Sequence, residues 1–177
     1  MNEDLLEQLK YPIGKFVPKE NYSPQILQQL IDDIAIFPSL LYKITENLSD
    51  NQLDTPYRPD GWTIRQLIHH CSDSHINAYV RLKLALTEEN PNIKPYFEDR
   101  WADLIDSKLP IESSLKILES IHYKWVVLLQ NMQSLDWEKS YHNPESKKTF
   151  KLNQYLDLYA WHCRHHYMHI QNGLKQR

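Results

Sequence analysis

The chain has 177 residues, a net charge of −3 and 41% hydrophobic residues, enough for one domain (1–177) whose core needs neither disulfide nor metal to fold. Its 20 basic and 23 acidic residues are interspersed, and no basic block is available to neutralise phosphates, which argues against nucleic acid as a partner. The N-terminus Met1-Asn2-Glu3-Asp4-Leu5 is acidic where a secretory leader is basic and then apolar. The run Trp125-Val126-Val127-Leu128-Leu129 is too short to cross a bilayer, and the two cysteines, Cys71 and Cys163, form no disulfide framework. A cytoplasmic protein with no membrane partner is expected.

Only three glycines occur and no alternating strand pattern is sustained, so helical periodicity dominates. Residues 1–22 read as an irregular arm broken by Pro12, Gly14 and Pro18. The first long helix starts with Ser23 as N-cap and Pro24 at the first helical position. Its apolar seam is Leu27, Leu30, Ile34, Phe37, Leu41, Ile44 and Leu48. Pro38 interrupts that seam, removes a backbone donor and predicts a kink.

Thr63-Ile64-Arg65-Gln66 predicts a capping box at the start of the second helix. Its inward stripe is Leu67, His70/Cys71, Ser74, Ala78 and Leu82, and it ends near Glu89-Asn90-Pro91. Residues 91–110 predict a long crossover with a short helix around Trp101–Ile105. The third helix carries Leu118, Ile121, Trp125, Leu128, Met132 and Leu135 on one face. Residues 136–151 read as a loop or small hairpin. The fourth helix starts near Leu152 with Leu156, Tyr159, His162/Cys163, His166 and Ile170 inward, Gly173 as its stop, and a basic end at Lys175 and Arg177. The expected architecture is an all-α four-helix bundle.

The histidines are the feature that packing alone does not explain. His162 and His166 lie four residues apart, so their rings stack on one helix face with Cβ atoms roughly 5–6 Å apart. Two imidazoles on an otherwise apolar stripe leave polar nitrogens to satisfy in a dry place, and a shared cation removes that cost. His70, inward on the second helix while His69 points about 100° away, supplies a third ligand. Three nitrogen ligands with open positions describe a catalytic rather than a structural metal. His165 and His169 form a second pair that competes for the role. His169 can instead orient His166, with Asp73 or Asp157 as further partners for the ligands' outer nitrogens. His122 and His142 read as ordinary packing histidines. Cys71 and Cys163 read as small buried hydrophobes, although sulfur ligation of zinc in place of a histidine stays open. Trp62, Trp101, Trp125 and Trp161 read as core or interface aromatics.

Several motifs, in order, resemble the DinB/YfiT-like superfamily and, within it, the YfiT-type metal-dependent hydrolases. They are Gln52-Leu53-Asp54-Thr55-Pro56-Tyr57-Arg58, Gly61-Trp62-Thr63-Ile64-Arg65-Gln66, His69-His70, Asp73-Ser74-His75 and Leu86-Thr87-Glu88-Glu89, then Tyr159-Ala160-Trp161-His162, His165-His166 and His169-Ile170. The resemblance implies a DinB-like bundle, a cytoplasmic homodimer, and one divalent ion per subunit, zinc or nickel, held by His70, His162 and His166. Tyr167-Met168-His169 stands where the wider superfamily carries Arg-Gly-Gln, and Arg164 stands where members of the YfiT branch carry another histidine.

A three-histidine ion with an open position activates water or a carbonyl of a small-molecule substrate, which predicts a hydrolase. The same site can bind a low-molecular-weight cellular thiol as thiolate, which gives a thiol S-transferase as the alternative. A non-catalytic metal-binding bundle is the third reading. No glutamate stands beside the ligands as in H-E-x-x-H, so the sequence assigns no catalytic acid or base.

Overall fold

The computed structural model describes residues 3–175, so Arg177 of the expected basic end lies outside the described residues. Seven α-helices and one hairpin follow in order: α1 Glu3–Lys10, α2 Pro24–Thr45, α3 Asp50–Leu53, α4 Ile64–Thr87, α5 Glu98–Ala102, α6 Glu112–Gln130, β1 Ser140–Asn143, β2 Lys148–Lys151 and α7 Leu152–Lys175. The four long helices α2, α4, α6 and α7 form the bundle. Helices α2 and α4 each pack against both α6 and α7. The two helices joined by the loop through α3 therefore sit at opposite corners of the square, as do α6 and α7.

Local sequence accounts for the ends of these helices. Ser23 Oγ accepts the Ile26 backbone N–H and Pro24 opens α2. At α4 the Thr63 hydroxyl accepts Gln66 N–H at 3.1 Å, and Gln66 Oε1 accepts Thr63 N–H at 3.0 Å. The reciprocal pair fixes the entry of the helix that carries His69, His70 and His75. Next to the cap, the buried Arg65 guanidinium pairs with Asp50 and Asp54, both at 2.7 Å, and ties α3 to α4. α2 stays helical through Pro38.

The core follows the expected stripes on α2 and α4: Leu27, Leu30, Ile34, Phe37, Leu41, Leu67, Ala78 and Leu82 are all buried. α6 is rotated from the expected face. Its buried residues are Ser114, Leu118, His122, Trp125 and Leu129, so His122 replaces Ile121 on the inward side, and α6 ends before Met132 and Leu135. The apolar pattern tolerated either rotation, since Ile121 and Leu128 are themselves partly buried at the edge of the same stripe.

Two further expectations change. The N-terminal arm is not irregular throughout, because α1 precedes the extended stretch that runs along α7. Gly173 does not stop α7. It lies inside the helix, where an added Cβ would come within 3.1 Å of the Tyr57 Cα, so the glycine serves close backbone packing. His142 sits on β1, in the segment expected to form a loop or small hairpin. Its backbone N–H and carbonyl pair with Pro91 and Ile93, each at 2.9 Å, and dock the crossover segment on β1.

Thr63→Ala should lower the unfolding free energy by about 1 kcal/mol in urea denaturation, and Thr63→Ser should recover most of that loss.

Candidate metal centre

His70 from α4 and His162 and His166 from α7 meet in the upper interior of the bundle. A ring nitrogen from each lies within 4.8 Å of the others. Ring centroids are 5.4 Å apart for His70 and His162, 4.9 Å for His70 and His166, and 4.4 Å for His162 and His166. The helical repeat stacks the α7 pair, and the α4–α7 packing brings His70 against it. Trp62, immediately before the α4 cap, lies against the outer side of His70 with centroids 4.7 Å apart. His70 and His166 are buried, and His162 is partly open.

The charge state follows from burial. Desolvation, followed by repulsion from His169, pushes His70 from 6.5 down to about 4. His162 and His166 are held well below the ordinary histidine value, again first by burial and then by the neighbouring imidazoles. At neutral pH the trio is a set of uncharged nitrogen donors in a dry place. That donor set fits a divalent cation that accepts imidazole.

His69, the neighbour in sequence, is satisfied elsewhere. Its Nδ1 meets Ser114 Oγ at 2.7 Å and its Nε2 meets the Leu109 carbonyl at 3.0 Å, on the far side of α4 from the trio. A second cluster, His165, His166 and His169, shares His166 with the first. There His169 Nε2 reaches the Lys10 carbonyl at 3.1 Å, and its Nδ1 stands 3.4 Å from His166 Nδ1. His165 stacks on Trp161 at 4.3 Å. Arg164 points away from both clusters and pairs with Asp33 of α2.

The expected carboxylate partners are not at the ligands' outer nitrogens. Asp157 accepts the Lys19 N–H and the Tyr22 hydroxyl, both at 3.0 Å, and anchors the N-terminal arm on α7. Asp73 is half-buried, its pKa pushed up to about 6 by burial and then by Asp106. The position behind His162 is taken by another imidazole: His75 Nε2 lies 3.0 Å from His162 Nδ1. His75 Nδ1 in turn lies 2.8 Å from His122 Nε2. His122 is therefore part of the cluster and not an isolated packing residue. Cys71 and Cys163 are buried free thiols, and burial raises the pKa of both, which leaves them as packing groups.

This fold and this nitrogen-lined centre define a class before any relative is considered: a helical bundle with a buried set of nitrogen donors able to hold a cation between helices. The sequence profile of the DinB superfamily matches residues 36–170, and the chain belongs to that superfamily. It is 50% identical over 172 residues, covering 97% of this chain and 98% of the relative, to a Bacillus cereus protein named "Putative metal-dependent hydrolase". A Bacillus mycoides protein of the same designation is 48% identical over the same length. The solved structure of YfiT from Bacillus subtilis, described as "a probable metal-dependent hydrolase with an unusual four-helix bundle topology", superposes with a TM-score of 0.91 at 41% identity, covering 94% of this chain and 95% of YfiT.

The buried histidines also fix how the metal-free protein responds to acid. The folded pKa values of His70, His122 and His169, about 4 each, lie below the ordinary 6.5. Between those limits the unfolded chain binds more protons than the folded one. The corresponding stability is complete above about pH 6.5 and is lost as pH falls toward about 4. Urea midpoints should be flat above neutrality and fall steadily below about pH 6.5, and a midpoint independent of pH across that window would contradict the burial of neutral rings.

Proposed function

We propose that this protein is a metal-dependent hydrolase in which His70, His162 and His166 hold one divalent ion, zinc or nickel, in each subunit. The observation that carries the proposal is the convergence of three neutral imidazole nitrogens from two helices, with no carboxylate among them. When bound, a divalent cation in such a set supplies Lewis acidity, lowering the pKa of water from ~15.7 toward ~7 and polarising a carbonyl.

The chain's own residues do the rest. The histidines remain unprotonated at neutral pH because burial and the neighbouring imidazoles disfavour the charged rings. Trp62 buttresses His70 from outside. The names of the Bacillus relatives agree with hydrolysis. Thiol S-transfer uses the same three ligands and is distinguished by its requirement for an added thiol.

Purified protein should contain about one equivalent of zinc or nickel per chain by elemental analysis. The triple variant of His70, His162 and His166 to alanine should contain none while keeping its helical circular dichroism. In a screen of small esters and amides, the holoprotein should turn over substrate without thiol, and the triple variant should lose that activity. Activity that appears only when a thiol is supplied would favour the transferase reading.

A further inference from the structure

The interior holds a line of hydrogen bonds that crosses all four bundle helices and ends at a candidate ligand. It starts at the Ile34 carbonyl on α2. In an uninterrupted helix that oxygen accepts the N–H four residues on, but residue 38 is proline and has none. The orphaned carbonyl is buried, and His122 Nδ1 of α6 meets it at 2.7 Å. His122 Nε2 lies 2.8 Å from His75 Nδ1 of α4, and His75 Nε2 lies 3.0 Å from His162 Nδ1 of α7. Phe37 packs on His75 and His122, and the edge of Trp125 meets both rings, with centroids between 5.3 and 5.7 Å apart throughout.

Proton positions along this line follow from counting. A carbonyl only accepts, so the His122 Nδ1 carries the hydrogen. A neutral imidazole has one donor and one acceptor, so His122 Nε2 is a lone pair and His75 Nδ1 must donate to it. His75 Nε2 is then a lone pair, and His162 Nδ1 must donate to that. The last nitrogen, His162 Nε2, is left unprotonated, and it is the one turned away from the line. The Ser74 hydroxyl lies 3.5 Å from it and can donate to it. The neutrality of the three rings agrees with their burial, which brings His122 down to about 4 and holds His75 and His162 well below the ordinary histidine value.

We infer that His122 and His75 are positioning residues: anchored on the carbonyl that Pro38 frees, they lock His162 in its Nδ1–H tautomer and direct its Nε2 lone pair at the metal position. The inference rests on the metal reading for its purpose, but the proton positions stand independently of it. His166 has a shorter counterpart. The Lys10 carbonyl accepts from His169 Nε2, which leaves His169 Nδ1 as the lone pair facing His166 Nδ1. The same count leaves His166 Nε2 unprotonated. The relay replaces the carboxylate or carbonyl that ordinarily holds a ligand histidine directly, and it transmits the restraint of a backbone acceptor on α2 through α6 and α4 to a ligand on α7.

Two measurements test this. Long-range proton–nitrogen NMR of the metal-free wild-type protein, labelled at histidine, should show His162 protonated at Nδ1 and bare at Nε2, the reverse of the tautomer free histidine prefers. A proton at His162 Nε2 would overturn the relay. The second compares His122→Gln, whose amide oxygen can still accept from His75, with His122→Leu, which fills the space but cannot accept. Zinc affinity by competition with a chelator should fall 10–100-fold in the leucine variant and stay within about threefold of wild type in the glutamine variant. Equal affinities for the two variants would show that His122 merely packs. Wild-type protein that takes up no stoichiometric zinc would instead overturn the metal reading, with the NMR result still deciding the proton positions. The NMR experiment needs no substitution, so an unstable leucine variant does not remove the test.

Discussion

Burying imidazoles is the constraint around which this bundle is arranged. His69, His70, His75, His122, His165, His166 and His169 are all buried, and each brings two ring nitrogens into a place where an unpaired polar atom costs free energy. The interior meets most of that cost by pairing: rings with backbone carbonyls, rings with one another, and nitrogens converging on a common point, while His165 Nδ1 is buried without a hydrogen-bond partner among the described residues. An apolar bundle of this size would be stable without any of these groups. Their presence gives up some packing simplicity in return for a defined set of lone pairs in a water-poor space.

Helix arrangement and chemistry are linked through this pairing. Because α2 and α4 sit at opposite corners, as do α6 and α7, a residue on α2 can influence one on α7 through the intervening helices as well as by direct contact. The line from Ile34 through His122 and His75 to His162 takes that route. The fold also recruits the N-terminal arm. Lys10 and Asp157 make the arm a wall of the second histidine cluster, with Trp161 donating to the Gly14 carbonyl at 3.2 Å. The crossover between α4 and α6 is held by Gln66, whose side chain donates to the Ala102 carbonyl at 2.9 Å, and by the hairpin strand that pairs with Ile93. Polar contacts at the helix ends therefore hold the segments around the centre.

Much of this was legible in the chain. The caps at Ser23 and Thr63, the four amphipathic stretches and the hairpin before Leu152 are local properties, governed by side chains that bond their own backbone or repeat at the helical period. That His70 rather than His69 faces the α7 histidines was legible as well, because the α4 stripe has one inward direction and His69 lies off it. Where the stripe was wide, as on α6, periodicity left the rotation open and His122 was misread. Gly173 was misread for a related reason: a glycine near a helix end ordinarily marks a stop, and only the Tyr57 backbone lying against it shows otherwise.

By itself the sequence determined the all-α class, the family motifs and the residue types from which a nitrogen-lined centre could be built, since helix period and composition are written along the chain. Tertiary structure decided which nitrogens face one another. Pro38, His75, His122 and His162 are far apart in sequence, and a hydrogen bond between rings depends on helix rotation and rise to within a fraction of an ångström. Those quantities arise only when the four helices pack together.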